Sequence, residues 1–483
     1  MMLISPSGTN LKRETRHIKP SRRINKKPTS LLPQHIITNQ IQKPKHLAQH
    51  THPPPDKSKQ IRAKTLKTIA PHNTYPPHIH ENPKMNPTNG TNPRLYALML
   101  AATAFVVNFT LIQPIYSLYL TQKGITIVQL GVLLSVQSFI PLLLRIPISG
   151  LIEQIGRIRS MIISLIISGI GTLLFIPAKT YTHLTLVVLF NSISASSFNQ
   201  TAMSTVSDAA PPHRQGDAIG RHLTFIGLGM LLGPAICSWL VNPLGYTGLF
   251  YIAGAVPLIG ITLLAFMAPR NIRERTRTQK PAISTTESLK MILTNRNVLL
   301  LSYCRVSFST AQSLFLALFS IYAANQLGFS DSNIALLFTI RGFANTLARF
   351  PAGSISDRIG RRPLIYVAFA LLVVSFTMMA YTGSFTLLAV AMTLYGLCWG
   401  TRSVAEWAFL TDLVEPEVKT MSISYLSSVF SLGSTIGSIA SGILTIFLPY
   451  STIFLIGAAL NLGALPAIYA MRKNPRSYSS SQR

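Results

Sequence analysis

The chain has 483 residues, of which 48% are hydrophobic and only 12% charged, with a mean hydropathy of +0.36. A water-soluble domain carries roughly 25% charged residues, so most of this surface is built for a solvent other than water, and an ordinary cytosolic enzyme is excluded. The formal charge of +29 would alone suggest a nucleic-acid binder, but it is divided: residues 1–94 carry a net +14 and the remaining 389 residues +15.

Residues 1–94 are rich in Pro, His, Lys, Asn and Thr. They hold no sustained apolar period, cannot bury enough surface to offset chain entropy, and are expected to form a disordered basic tail. Three readings of this tail stay open: an arm for a membrane surface or nucleic acid, a targeting peptide, and a translated upstream region outside the working protein, with Met85 as a candidate start. A secretory signal is not expected, because no apolar core of about 7 to 15 residues lies near residue 1.

From Leu95 the pattern changes to apolar runs of about 20 residues, each long enough to cross a hydrocarbon core about 30 Å thick as a helix. The spans are 95–120, 127–149, 159–178, 183–207, 220–242, 246–268, 297–324, 333–352, 362–382, 385–411, 420–445 and 449–471. An all-α membrane protein with twelve crossings follows. Lys and Arg test the count, because cytoplasmic loops should be the basic ones. The loops after the even-numbered runs and the C-terminal end are basic, whereas the opposite loops hold only Lys123 and Lys179. Both termini are therefore expected in the cytoplasm. The longest connection, 269–296, carries Arg270, Arg273, Arg275, Arg277 and Lys280 and reads as a cytoplasmic linker between six-helix bundles at 95–268 and 297–471, with a cytoplasmic tail at 472–483. Cys237, Cys304 and Cys398 lie far apart in apolar runs, without the spacing of a disulfide framework or a zinc site.

A shift of 204 residues aligns Arg145, Pro147, Glu153, Gly156, Arg157, Asp208 and Pro212 with Arg349, Pro351, Asp357, Gly360, Arg361, Asp412 and Pro416. Shared hydrophobicity does not account for seven polar or special residues on one offset, so the halves are expected to be built to one plan. In the second copy, Gly353, Asp357, Arg358, Gly360, Arg361 and Arg362 follow the pattern Gly-x-x-x-Asp-Arg-x-Gly-Arg-Arg; in the first, Glu153 and Gln154 replace the Asp-Arg pair and the leading glycine is displaced by one. A turn two residues wide between helices needs Gly for close approach, and the carboxylate can meet a helix N-terminus or the adjacent arginines.

This motif, between the eighth and ninth runs, resembles the loop signature of the major facilitator superfamily. The resemblance covers about residues 95–471 and implies two pseudo-symmetric six-helix bundles that rock around a central site and expose it to each side in turn. It also implies that Glu153, Gly156, Arg157, Gly353, Asp357, Arg358, Gly360, Arg361 and Arg362 act as a conformational gate; the competing reading is that the arginines only enforce topology. Asp208 and Asp412, at helix ends on the basic side, are expected in the same gate, paired with a loop arginine such as Arg214 or Arg358. On the fifth run, Gly220, Gly229, Gly233 and Pro234 keep the spacing of the antiporter motif of drug-efflux members, although Cys237 and Ser238 stand where that motif ends in two glycines. Gly229 and Gly233 also form a flat face for helix packing, repeated by Gly433 and Gly437, with Pro234 permitting a bend.

Ionisable groups deep in a spanning helix are functional hypotheses by default. Arg305 is expected about 12 Å from the basic side, and Arg341 and Arg402 about 15 to 18 Å from it. Arg402 and Glu406, one turn apart, are expected to pair. Glu406 is then a site for proton uptake and release, or the arginines hold an anionic substrate, or the pair is a static bridge. Asn108, Gln113, Gln137 and Asn191 supply polar groups in the first half of the pathway. Tyr116, Tyr119, Tyr395, Trp399 and Trp407 are candidate lining residues, with packing roles the alternative. No P-loop, HExxH or paired-carboxylate pattern is present, so no enzyme activity, cofactor or metal is expected. The expected function is a monomeric secondary transporter in the plasma membrane, with the lipid bilayer, a small solute and protons as partners and no nucleic acid. Proton-coupled export of a small organic compound is the first reading, uptake or exchange of an organic anion the second, and a receptor or scaffold that moves nothing the alternative of another class.

Overall fold

The structure is a computed structural model that describes residues 93–209, 215–267, 285–415 and 418–471. The tail with Met85, the linker as far as residue 284, Pro212, Arg214, Pro416 and residues 472–483 lie outside the described residues. Hydrocarbon offers no partner to a backbone N–H or C=O, so each apolar run must satisfy its own peptide groups, which an α-helix does. The helices are α1 Pro93–Gln122, α2 Ile127–Ile155, α3 Arg157–Leu173, α4 Tyr181–Ala209, α5 Gln215–Ala255, α6 Pro257–Met267, α7 Thr285–Thr294, α8 Arg296–Asn325, α9 Asp331–Ile359, α10 Arg361–Tyr381, α11 Phe385–Leu413, α12 Lys419–Phe447 and α13 Tyr450–Ala470.

Three boundaries differ from the sequence reading. The fifth and sixth runs are continuous in α5 except at Gly245, whose φ of 63° and ψ of −177° interrupt the helix where the chain reverses. The sixth crossing is itself broken before Pro257, which has no N–H to donate to the preceding turn, so α6 forms only its second part. Within the expected linker, the ten residues Thr285–Thr294 form α7, which buries Ser288 and Ile292. With α5 bent at Gly245 and α6 completing the sixth crossing, the described helices make twelve rods plus the short α7. Eight stretches are long and apolar enough to cross a membrane by themselves, and one of these, Ala218–Phe266, is long enough for two passes. α3, α4 and α9 fall short by that measure because α3 has 17 residues and the other two carry Ser, Asn or Arg on faces turned to other helices.

The 204-residue repeat is carried through the folded chain. Gly124 and Gly328 take positive φ of 81° and 69° in the matching loops, and each is followed by an N-cap hydroxyl, Thr126 for α2 and Ser330 for α9. Gly156 and Gly360, at φ of 91° and 95°, each turn the chain between helices in a single residue. That turn is tighter than the sequence suggested, and positive φ is what demands glycine there. Packing repeats as well: α1 lies on α5 and α6 as α8 lies on α12 and α13, and α3 lies on α4 as α10 lies on α11. The halves meet along two matched seams, α2 with α12 and α5 with α9.

Within each half the small-residue face brings two helices into backbone contact. A methyl on Gly229 or Gly233 would overlap Val106 or Thr110 of α1, and one on Gly433 or Gly437 would overlap Ser309 or Thr310 of α8. The close approach lets hydroxyls bond across: Thr110 donates to Gly229 O at 2.8 Å, and Thr310 donates to Gly433 O at 3.0 Å. Pro234 follows Gly233 inside α5, where it removes one helix hydrogen bond. Gly353 differs: a methyl there meets nothing within 4 Å, so close approach is not its reason, contrary to the expectation for the motif's first glycine.

Gly437→Val should therefore destabilise the purified protein by about 1–3 kcal/mol through overpacking, whereas Gly353→Ala should leave stability unchanged or raise it slightly. Size-exclusion profiles after stepped heating read the difference, and equal melting of the two variants would contradict the packing argument.

Candidate functional site

The buried ions gather first around Glu406. Its side chain is fully buried, the only buried carboxylate among the described residues, and it is shared by two arginines. Arg402 reaches Glu406 Oε1 from one turn earlier on α11, the pairing the i,i+4 spacing suggested. Arg305 Nη1 of α8 donates to Oε2 at 2.8 Å. Each guanidinium also lies on aromatic rings: Arg402 over Phe308 at 3.6 Å, and Arg305 over Trp407 at 4.5 Å and Phe430 at 5.4 Å from their centroids. Ring faces attract a dehydrated cation without neutralising it, so the triad keeps a net charge of +1.

Arg341 of α9 does not join this cluster. Its Nη2 crosses to α1 of the other half and donates to Gln113 Oε1 at 2.7 Å. Around it stand Phe338 at 4.6 Å, Phe315 at 5.5 Å, Trp399 at 5.6 Å and Tyr395 at 5.8 Å, while Nε and Nη1 meet no hydrogen-bond partner. Gln113 itself lines a cavity of about 140 Å³ in the first half, together with Phe109, Tyr116, Gln137, Phe175 and Asn191.

Two further arginines reach across the seams in matched fashion. Arg145 Nη1 of α2 donates to Ser424 O at 2.7 Å and Ser428 Oγ at 2.9 Å on α12. Its repeat counterpart, Arg349 of α9, donates through Nη1 to Leu223 O of α5 at 3.0 Å and through Nε to its own helix at Asn345 Oδ1, also 3.0 Å. Both bonds lie toward the basic ends of the helices, and both give a cation to an acceptor in the opposite half.

The polar residues expected in the first half separate into two groups. Gln113, Gln137 and Asn191 face the cavity. Asn108 does not: it donates to Thr172 Oγ1 at 3.0 Å and to Ala253 O at 2.7 Å and accepts from Ser168 at 2.6 Å. Buried with all its bonds made inside the bundle, it ties α1, α3 and α5 together and corrects its assignment to the pathway. Among the aromatics, Tyr116 lines the cavity, Tyr395 and Trp399 box Arg341, Trp407 supports Arg305, and Tyr119 packs near the loop end, donating to Phe175 O at 2.9 Å. Lys123, just beyond α1, donates to Ile176 O at 2.9 Å and Ala178 O at 2.7 Å; burial and then the neighbouring Lys179 hold its ammonium below the usual lysine range.

At the motif, Arg157 Nη1 meets Asp208 Oδ2 at 2.6 Å and Arg361 Nε meets Asp412 Oδ2 at 3.2 Å. Each helix-end acid thus meets the motif's own arginine, while Arg214 lies outside the described residues. Arg361 also holds Asp357 and donates to Ser356 Oγ at 2.8 Å. Arg362 bonds Tyr469 O of α13 and lies over its ring. Arg358 is exposed, and the side chain of Glu153 lies outside the described residues. The sequence reading missed the ring partners of the arginines. Phe338 lies one turn before Arg341, so helical spacing could have flagged it, whereas Trp407 meets Arg305 from a different helix. The cross-seam role of Arg145 and Arg349 was foreshadowed only by their shared repeat position.

Because a buried cation left without its counter-ion is costly, by about 3–5 kcal/mol, Glu406→Met, which strands two arginines, should melt well below Arg402→Met, which leaves a one-to-one pair with Arg305. Melting of the two purified variants in detergent measures this, and the reverse order would contradict the shared-carboxylate geometry.

The family model of the Major Facilitator Superfamily matches residues 98–330 and 301–483. An uncharacterized MFS-type transporter of Methanocaldococcus jannaschii is 20% identical over 373 residues, covering 76% of this chain and 95% of that protein. The quinolone resistance protein NorA of Staphylococcus aureus is 22% identical over 260 residues, 53% of this chain and 65% of NorA, so the match spans just under two thirds of that relative. Among solved structures, the nucleoside transporter NupG superposes with a TM-score of 0.62 at 15% identity, covering 80% of this chain and 100% of NupG. A bacterial homolog of the human lysosomal transporter Spinster, inward-facing and unoccupied, also gives 0.62, at 18% identity and the same coverage. At such identities these two structures speak to the fold.

Proposed function

Because the chain belongs to the Major Facilitator Superfamily and is by that membership a multi-pass secondary transporter of small solutes, we propose that it exports a small organic solute from the cell in exchange for protons. It does so as a monomer in the plasma membrane, with both termini and the linker in the cytoplasm. The observation that carries the coupling is Glu406, the one buried carboxylate among the described residues, held between two arginines that each rest on aromatic rings. Proton uptake requires the Arg305 bond to open. Trp407 and Phe430 remain as partners for Arg305 when it does, which lowers the cost of releasing the carboxylate. The direction is supported by likeness to a quinolone resistance protein and by the Gly229, Gly233 and Pro234 face. The basic loops support the orientation.

The gate follows from the seams. Arg145 and Arg349 close the basic side by bonds to carbonyl and hydroxyl oxygens, which are weaker than ion pairs and reversible within a rocking cycle. The motif turns at Gly156 and Gly360 keep α2 locked to α3 and α9 to α10, so each half moves as a body. In this reading Asp208 and Asp412 brace the turns through Arg157 and Arg361.

A second reading, exchange or uptake of an organic anion, is favoured by one observation: Arg305, Arg341, Arg349 and Arg402 are all buried, against the single carboxylate of Glu406.

Flux in proteoliposomes tests both. Export coupled to protons predicts solute movement that an imposed pH gradient accelerates, and Glu406→Gln should abolish that acceleration while leaving counterflow exchange. Wild-type flux indifferent to the gradient would overturn the coupling, and a variant that behaves as wild type in both assays would make Glu406 structural.

A further inference from the structure

We propose that Arg341 is the anchor for a carboxylate carried by the transported solute, and that the solute is a single-ring aromatic acid whose ring fills the cavity beside Gln113. The inference rests on the transporter reading above and adds to it the substrate class.

The first observation is an incomplete cation. Arg341 is 3% exposed, and no acid among the described residues lies against it. Its partner is the neutral amide of Gln113, and two of its donors, Nε and Nη1, have no acceptor. Leaving buried donors of a charged group unmet is unfavourable. The four rings around it compensate the charge electrostatically but accept no in-plane hydrogen bond, so the hydrogen-bonding edge of the guanidinium stays available. Both two-point edges of a guanidinium fork on this side chain include Nη2, paired with either Nε or Nη1. A carboxylate binding in two-point fashion therefore takes the place of Gln113 Oε1 and satisfies one orphan donor in the same step.

The second observation is the space on the other side of Gln113. Gln113 lines the cavity, whose walls include Phe109, Tyr116 and Phe175. A volume of about 140 Å³ is close to the roughly 150 Å³ that accommodates a benzene ring in a protein interior. The rings suit an aromatic face, and Gln137 and Asn191, the latter with a buried Oδ1 lacking any donor, offer groups to ring substituents. Arg341 comes from the second half and the cavity, apart from Leu316, from the first, so a bound acid bridges the two halves that must move relative to one another.

The test uses the intact protein in detergent and equilibrium dialysis of benzoate and its neutral isostere benzamide at pH 7. The expected result is benzoate binding at least about tenfold tighter, as a hydrogen bond to a charged group implies. Arg341→Gln should bring the two affinities together. Gln113→Glu gives Arg341 an internal carboxylate, keeps the buried charge paired, and should abolish benzoate binding without loss of folded protein. Equal binding of benzoate and benzamide by the wild type, persistence of the preference in Arg341→Gln, or undiminished benzoate binding in Gln113→Glu would each overturn the proposal. Vesicle flux separates its failure from that of the transporter reading: movement of other solutes without any preference for benzoate removes the anchor alone, whereas selective benzoate binding with no solute moving removes the transport reading and leaves the anchor.

Discussion

A guanidinium placed in the hydrocarbon interior has to find something to hold, and this constraint organises the centre of the molecule. Among the described residues, four buried arginines face one buried carboxylate. Glu406 takes two of them, Arg305 and Arg402, inside the second half. Arg341 and Arg349 meet no acid among the described residues and reach into the first half, to Gln113 and to Leu223 O. The half-buried Arg145 makes the reciprocal reach from the first half to Ser424 and Ser428. The surplus of positive charge is thus converted into adhesion between the halves.

That kind of adhesion suits a transporter. Within each half, the contacts are of a sort that does not reopen: glycine faces pressed onto α1 and α8, with threonine hydroxyls bonded to glycine carbonyls across the gap. Between the halves, Arg145, Arg341 and Arg349 make cation-to-oxygen bonds to neutral groups, which water or a solute can replace, and Ser332 donates to Ser238 O at 2.6 Å. In the proposed transport cycle this contrast would let each half move as a body about a reversible joint, the arrangement that alternating access needs. The matching of Arg145 with Arg349, and of the α2–α12 seam with the α5–α9 seam, places one clasp on each side of the pathway.

Much of this was legible in the sequence, for identifiable reasons. Run length fixes a spanning helix almost unaided, because lipid leaves the backbone no alternative. The 204-residue offset exposed the common plan of the halves, and the i,i+4 spacing of Arg402 and Glu406 forecast their bond. Other features were hidden because they depend on partners remote in sequence. Asn108 looked like a pathway residue, since a lone polar group in an apolar run carries no mark of whether another helix will satisfy it; Ser168, Thr172 and Ala253 do so completely. The pairing of the acids at 208 and 412 with Arg157 and Arg361 was hidden because charge alone cannot rank neighbours; the single-residue turns at Gly156 and Gly360 bring those arginines to them. The break before Pro257 and the helix at Thr285–Thr294 lay below the resolution of a hydropathy pattern.

The account stands on the reversible clasp of the two halves at their basic ends. Spin labels on cysteines replacing the exposed Gln154, at the end of α2, and Lys419, at the start of α12, report that separation by double electron–electron resonance; the three native cysteines are buried. The account predicts a distribution dominated by a short distance, with a longer component that grows when Arg145 and Arg349 are both changed to Gln. A distribution indifferent to that double substitution would contradict it.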